Sequence, residues 1–307
     1  MKIGELKKAV SEKNLRSLAR LISHAENQDL SLYPLIKDLY GELGKAKVIG
    51  FTGPPGAGKS TLVNDYVRYV RAKKEAVAVV AVDPISPFTG GALLGDRIRL
   101  TEHFNDDGVY IRSLSTRGKL GGLSLATRQV VHLLDAFGFG NILIETVGVG
   151  QSEVDIRTSS ELTAVVLVPE WGDSIQALKA GLLEIGDLFI VNKSDREGAD
   201  RVVNELKTML HMANRESVPV FSTSQQDKAS LEQVWKWVDG KYADKDQSWR
   251  SQKKSIIARA ELFDLVQDYV AREGKNWIGQ SLDKAGNPYE HFLDFIKRHP
   301  AGSLFGK

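Results

Sequence analysis

The chain contains no cysteine. Disulfides, thiolate metal sites and cysteine nucleophiles are therefore excluded. An excess of one charge sign is also missing: 41 Lys+Arg stand against 39 Asp+Glu, a formal net charge of +2. Such balance argues against a surface built mainly to coat nucleic acid or an anionic membrane. No apolar run reaches the roughly 18 residues needed to span a bilayer. The opening stretch MKIGELKKAVSEK is charged and has no apolar signal core, so a cytoplasmic protein is expected. His24, His103, His132, His211, His291 and His299 are scattered and form no ligand-spaced pair. What is present is ordinary for a globular protein: 307 residues, 42% hydrophobic and 26% charged. That length accommodates one large α/β domain with helical additions. The aromatic residues read as core rather than as a platform for stacking bases.

Periodicity divides the chain into three. Residues 1–44 read as a small helical pair, with Leu15, Leu18, Ala19 and Ile22, then Leu32, Leu35, Ile36 and Leu39, at helical spacing. Asn14 and Asp29 are candidate N-caps. Residues 45–240 alternate short apolar runs with helix-length segments. The runs 48–53, 76–83, 109–114, 141–148, 162–169, 187–193 and 218–224 read as strands rich in Val, Ile and Leu. Such runs are buried on both faces, as in a mostly parallel, doubly wound α/β sheet. Ligands of such sheets bind beyond the C-terminal strand ends. Residues 241–307 read as a helical arm. A long amphipathic helix carries Ile256, Ala260, Phe263, Val266 and Val270, and a turn at 285–288 precedes a second apolar patch.

The chemistry gathers at the strand ends. Gly53-Pro54-Pro55-Gly56-Ala57-Gly58-Lys59-Ser60 is a full phosphate-binding loop between a strand and a helix beginning near Thr61. Its backbone N–H groups and the helix N-terminus attract phosphate. Lys59 should reach the β- and γ-phosphates as a surface-loop contact, and Ser60 should hold Mg²⁺. Asn192-Lys193-Ser194-Asp195 ends another strand. In N-K-x-D the carboxylate accepts from the guanine ring N–H and its amine, a donor pair that adenine lacks. Ser222, Thr223 and Ser224 end the next strand and are candidates for a further base contact. Glu145-Thr146-Val147-Gly148 stands where GTPases usually carry D-x-x-G, the acid facing Mg²⁺ and the glycine N–H sensing the γ-phosphate. Asp83 and Asp96 are further Mg²⁺-side candidates, the alternative for Asp83 being a turn residue before Pro84.

The strings VDPISPFTGGALLGDRIRL, STRGKLGGLSLAT, ETVGVGQSEVDI and GLLEIGDLFIVNKSD resemble the MeaB/ArgK/MMAA family of P-loop GTPases, of the SIMIBI class. The likeness runs from about Leu15 through Thr223. It implies GTP/GDP and Mg²⁺ as cofactors, and a chaperone role toward adenosylcobalamin-dependent acyl-CoA mutases, with gating of cofactor loading and protection or reactivation of the mutase. It further implies Mg²⁺-side roles for Asp83, Asp96 and Glu145, and guanine reading by Asn192, Lys193 and Asp195. The segment Val168–Lys179 matches a partner-coupling loop that keeps Asp173 and Lys179, with Trp171 as a departure. A homodimer through the C-terminal arm is also implied. No glutamine follows Gly148 directly, so slow intrinsic hydrolysis stimulated by a partner is expected. The rival readings are a metal-inserting GTPase, and a kinase or ATPase linked to transport. The first lacks cysteine ligands, and N-K-S-D opposes adenine in the second.

Overall fold

The computed structural model of the chain describes residues 10, 12–83, 101–103, 105–115, 122–146, 155–170, 180–281, 290–292 and 295. Two helices come first, α1 (Leu15–Glu26) and α2 (Leu32–Leu39). Asn14 caps α1, its side-chain oxygen accepting from the N–H groups of Arg16 and Ser17 at 3.0 and 3.2 Å. Asp29, expected as an N-cap, stands two residues before the observed one. Ser31 occupies the N-cap of α2, and the Asp29 carboxylate accepts the Ser31 N–H at 2.9 Å. The other Asp29 oxygen meets His24 at 2.7 Å.

There follow β1 (Lys47–Thr52), α3 (Lys59–Ala72), β2 (Val77–Asp83), β3 (Val109–Ser115), α4 (Gly122–Phe137), β4 (Asn141–Thr146), β5 (Leu162–Leu167), α5 (Ala180–Ile185), β6 (Leu188–Asn192), α6 (Ala199–Met212), β7 (Val220–Thr223), α7 (Lys228–Ala243) and α8 (Ser248–Ser281). Every strand predicted from the apolar runs is present. The seven form one sheet in the order β3-β2-β4-β1-β5-β6-β7, and every pairing is parallel.

Alternate residues of each strand face opposite layers, because side chains change face at every residue. Ile142 and Ile144 of β4, with Phe189 and Val191 of β6, join a core with α1, α2, α4 and α6. Leu143, Leu188 and Ile190 point the other way, among Leu62, Val63 and Tyr66 of α3 and Val234 and Trp235 of α7. Both faces are covered, which is why the strands read as continuous apolar runs. The fold is a doubly wound α/β sheet.

The chain forms two compact units, Met1–Glu261 and Leu262–Lys307. In the first, the start of α8 is tied to the sheet by charge. Arg250 Nε donates to both oxygens of buried Glu161, at 3.0 and 3.1 Å, and Lys253 pairs with Asp187 at 2.8 Å. Burial pushes the Glu161 carboxyl up, partly offset by Arg250. In the second unit, Leu262, Phe263, Val266 and Tyr269 of α8 are each more than half exposed. The expected turn at 285–288 lies outside the described residues. Among the described residues no helix is long and apolar enough to cross a membrane.

Candidate functional site

β1 runs between β4 and β5, and the phosphate loop leaves its C-terminal end. Two close approaches shape that loop. Gly53 has φ +133°, and a Cβ there would lie 2.1 Å from the Val166 carbonyl oxygen on β5. Gly58 has φ +90° at the N-cap of α3, and a Cβ there would lie 2.3 Å from Asn192 Nδ2. Only glycine meets both demands without strain. The Lys59 ammonium turns back over the loop and donates to the carbonyls of Gly53 and Pro54 at 2.7 and 2.9 Å. Lys59 is only 5% exposed. It is thus not the peripheral surface contact that the loop motif alone suggested. Its long side chain is packed into the loop that it will serve, and its charge is met by carbonyl dipoles.

Ser60 lies in the first turn of α3, and Glu145 sits near the end of β4. Register places Glu145 opposite Phe51 of β1, so the β4 strand end lies beside the loop. The Ser60 hydroxyl donates to Glu145 Oε1 at 2.5 Å, and both residues are buried. A hydroxyl and a carboxylate converging in a buried cleft are hard oxygen donors of the kind Mg²⁺ takes, so the pair fits that ion. The strand ends beside it are locked by Thr146, whose hydroxyl lies 3.2 Å from that of Thr52. Asp83 closes β2, one strand further out, in register with Ser115 of β3. Asp96, Gly148, Gln151, Trp171, Asp173 and Lys179 lie outside the described residues.

The base motif is tied to the same loop. The Asn192 amide donates from Nδ2 to the Ala57 carbonyl at 2.9 Å and accepts from the Thr223 hydroxyl at 3.2 Å. Lys193 adopts φ +58°, and its ammonium donates to the Gly56 carbonyl at 2.9 Å. Asp195 is exposed beyond it, and Thr61 is exposed on the first turn of α3. Ser222, Thr223 and Ser224 do not act as a row. Ser222 is exposed, Thr223 turns inward to Asn192, and buried Ser224 accepts the Gln226 N–H at 3.2 Å. The structure therefore brings together Gly53, Pro54, Gly56, Ala57, Gly58, Lys59, Ser60, Glu145, Asn192, Lys193 and Thr223. Pro55 is an exposed part of the same loop.

Polar residues along α3 and a buried arginine on α4 are partnered in ways that the sequence reading did not anticipate. Asn64, one helical turn after Ser60, donates to Glu102 and meets His103 Nε2 at 2.8 Å. Arg68 pairs with Glu102, and Arg71 with Asp106. Burial holds His103 below its ordinary value. The spacing of Ser60, Asn64, Arg68 and Arg71 on one helical face was the available signal. Arg128 of α4 is buried at 1% exposure. A lone charge between Ala126 and Val130 on an apolar helix was its signal.

A strand–loop–helix phosphate cradle, a hydroxyl–carboxylate pair beside it and N-K-x-D bonded to its back define a P-loop GTPase. The family model for the methylmalonyl Co-A mutase-associated GTPase MeaB matches residues 18–276, and the chain belongs to this family. A protein from Pyrococcus horikoshii that bears a GTPase name is 40% identical over 301 residues, covering 94% of this chain and 95% of that one. The mouse methylmalonic aciduria type A homolog, a mitochondrial protein, is 32% identical over 260 residues, covering 82% of this chain and 58% of its own. The crystal structure of a LAO/AO transport system kinase shares the fold, with a TM-score of 0.66 at 21% identity, covering 96% of this chain and 97% of that one. The chain is accordingly a GTPase that binds GTP and GDP.

Proposed function

We propose that this GTPase is a chaperone of an adenosylcobalamin-dependent acyl-CoA mutase, gating cofactor loading and protecting or reactivating the enzyme. The observation that carries the reading is the match to the mutase-associated family over residues 18–276, joined to a site whose phosphate and base halves are bonded to each other through Asn192. The name of the mouse relative, a methylmalonic aciduria type A homolog, points to the same metabolism.

The chemistry proposed is that of a P-loop GTPase. Loop N–H groups and the Lys59 ammonium stabilise charge on the β- and γ-phosphates as water attacks the γ-phosphorus and the bond to GDP breaks. Ser60 and Glu145 would hold Mg²⁺, with Asp83 and Asp96 assigned to the same side by family resemblance. When bound, the ion neutralises charge shared between the β- and γ-phosphates. Asp195 selects guanine through its ring N–H and amine. Gly148 reports the γ-phosphate. With no glutamine directly after Gly148, turnover without a partner is slow, and the partner is sensed through Asp173 and Lys179.

The helices after residue 240 form the dimerisation arm in this reading. The exposed apolar face of α8 around Phe263 and Val266 would pack against a second copy. The mass of the Phe263→Lys variant in solution, compared with the wild type, tests that assignment.

The experiment for the main reading is GTP turnover with and without purified acyl-CoA mutases of several substrate types. One of them should raise the rate. Asp173→Ala and Lys179→Ala should lose that stimulation while basal turnover and GDP affinity hold. Turnover indifferent to every adenosylcobalamin-dependent mutase would refute the chaperone reading.

A further inference from the structure

Asp195 sits in a short turn beyond β6. The Arg196 N–H donates to the Lys193 carbonyl at 3.0 Å, which closes four residues with Asp195 in the third position. Lys193 enters the turn at φ +58°, and its ammonium donates to the Gly56 carbonyl of the phosphate loop at 2.9 Å. The Ser194 N–H donates to the Thr223 carbonyl at the end of β7, also at 2.9 Å. These bonds fix the backbone of the turn and leave the Asp195 carboxylate at the surface, where it is exposed. The next residue in the chain, Arg196, carries a guanidinium.

That guanidinium is engaged from another strand. Arg196 Nη1 pairs with Glu170 Oε1. Glu170 follows buried Val168 and Pro169, just past the end of β5. β5 and β6 run parallel with Leu167 opposite Val191, so the chain leaving β5 and the turn leaving β6 emerge at the same end of the sheet. Both partners are about half exposed, and a pair of that kind adds little to the stability of a fold. Its consequence is local. A guanidinium is a flexible-stemmed donor fork that matches a carboxylate well. Without a partner, the fork of Arg196 would find the neighbouring Asp195 carboxylate and compete there with the N–H donors of a base.

We propose that Glu170 is a positioning residue of the guanine site: by pairing with Arg196 it keeps that guanidinium off the Asp195 carboxylate, which is left open to the base. The proposal rests on the reading of Asp195 as the guanine acceptor. Glu170 touches no part of the nucleotide in this role and acts through Arg196. The expected sign is distinctive. Removing a negative charge near the site would by itself favour an anionic nucleotide, whereas releasing Arg196 onto Asp195 weakens nucleotide binding.

The test uses the full chain with Glu170→Gln, Arg196→Gln, the two together, Asp195→Ala, and Glu170→Gln in the Asp195→Ala background. GDP affinity is measured by calorimetry, and thermal melts check that each variant is folded. Glu170→Gln should weaken GDP about threefold, the scale of one exposed ion pair. Adding Arg196→Gln should restore the affinity to within about twofold of the wild type, and in the Asp195→Ala background Glu170→Gln should no longer weaken binding. A pair that merely tethered the turn would behave otherwise: Arg196→Gln alone would weaken GDP as much as Glu170→Gln, and the double variant would not recover. That result would overturn the proposal, as would wild-type affinity in Glu170→Gln. If Asp195→Ala weakens GDP and Glu170→Gln does not, only the present proposal fails. If Asp195→Ala itself binds GDP like the wild type, the reading of Asp195 as the guanine acceptor fails, and this proposal falls with it.

Discussion

Asn192 Nδ2 donates to the Ala57 carbonyl across 135 positions of sequence. This bond ties the end of β6 to the phosphate loop. It also sets the identity of a neighbour, because the same amide nitrogen stands where a Cβ on Gly58 would fall.

Gly58→Ala should therefore do two kinds of damage. A left-handed backbone costs an alanine about 1–2 kcal/mol, and the methyl must push the Asn192 amide off Ala57. We expect a lower melting temperature together with weakened binding of GDP. Calorimetric titration and a thermal melt read both. A variant that melts lower yet binds GDP with wild-type affinity would separate the two halves of the site.

Asp195→Asn should exchange guanine for xanthine. In the proposed role the carboxylate would accept two N–H donors from guanine; an amide can accept one and donate one, matching the carbonyl that xanthine has in place of the amine. A hydrogen bond to a charged group contributes about 1.5–3 kcal/mol, so the loss for GDP should be roughly tenfold to a hundredfold. Competition binding with GDP and XDP measures it, and unchanged GDP preference would refute the role.

Glu145→Gln should raise the Mg²⁺ concentration needed for half-maximal turnover. The substitution keeps an oxygen that can accept the Ser60 hydroxyl but removes the charge that favours a divalent cation. We expect a shift of about tenfold, for one charge-assisted contact of about 1.4 kcal/mol. Chelation by EDTA should stop turnover in both proteins. An unchanged Mg²⁺ dependence would take Glu145 out of the metal site.

The N-terminal helical pair should carry part of the acid sensitivity of the fold. The Ser31 N–H, with His24 and the Ser31 hydroxyl, pulls the Asp29 carboxyl from an ordinary 3.8 down to about 2. A depressed carboxyl contributes stability that is fully present above the unfolded value, and that stability is lost as pH falls through the folded one. The window is therefore from about pH 4 down to about pH 2. Asp29→Asn should be less stable than the wild type at pH 6, and the gap should narrow as pH falls from 4. Urea unfolding at a series of pH values tests this, and a gap independent of pH would exclude Asp29 as the source.

The strands and the two site motifs could be read from the sequence because each is a local signal. A fully buried strand is a short apolar run wherever it occurs, and a phosphate loop needs its glycines, Lys59 and Ser60 in one contiguous stretch. Asn192, Lys193 and Asp195 are equally contiguous. The start of α1 at Asn14 was legible for the same reason, since a cap acts on N–H groups two and three residues ahead.

The tertiary structure alone decided which strand ends meet. Ser60 and Glu145 are 85 positions apart, and they touch because β4, not β2, lies beside β1. Right-handed crossovers allow many strand orders for the same series of apolar runs, so the pattern could not supply that neighbour. The inward turn of Thr223 toward Asn192 depends on the same strand order, since β7 lies beside β6. Local patterning determined the strands, the helices and the phosphate loop. The packing of the two faces of the sheet determined what each functional side chain touches, because burial leaves a polar group few partners and the fold chooses which ones are in reach.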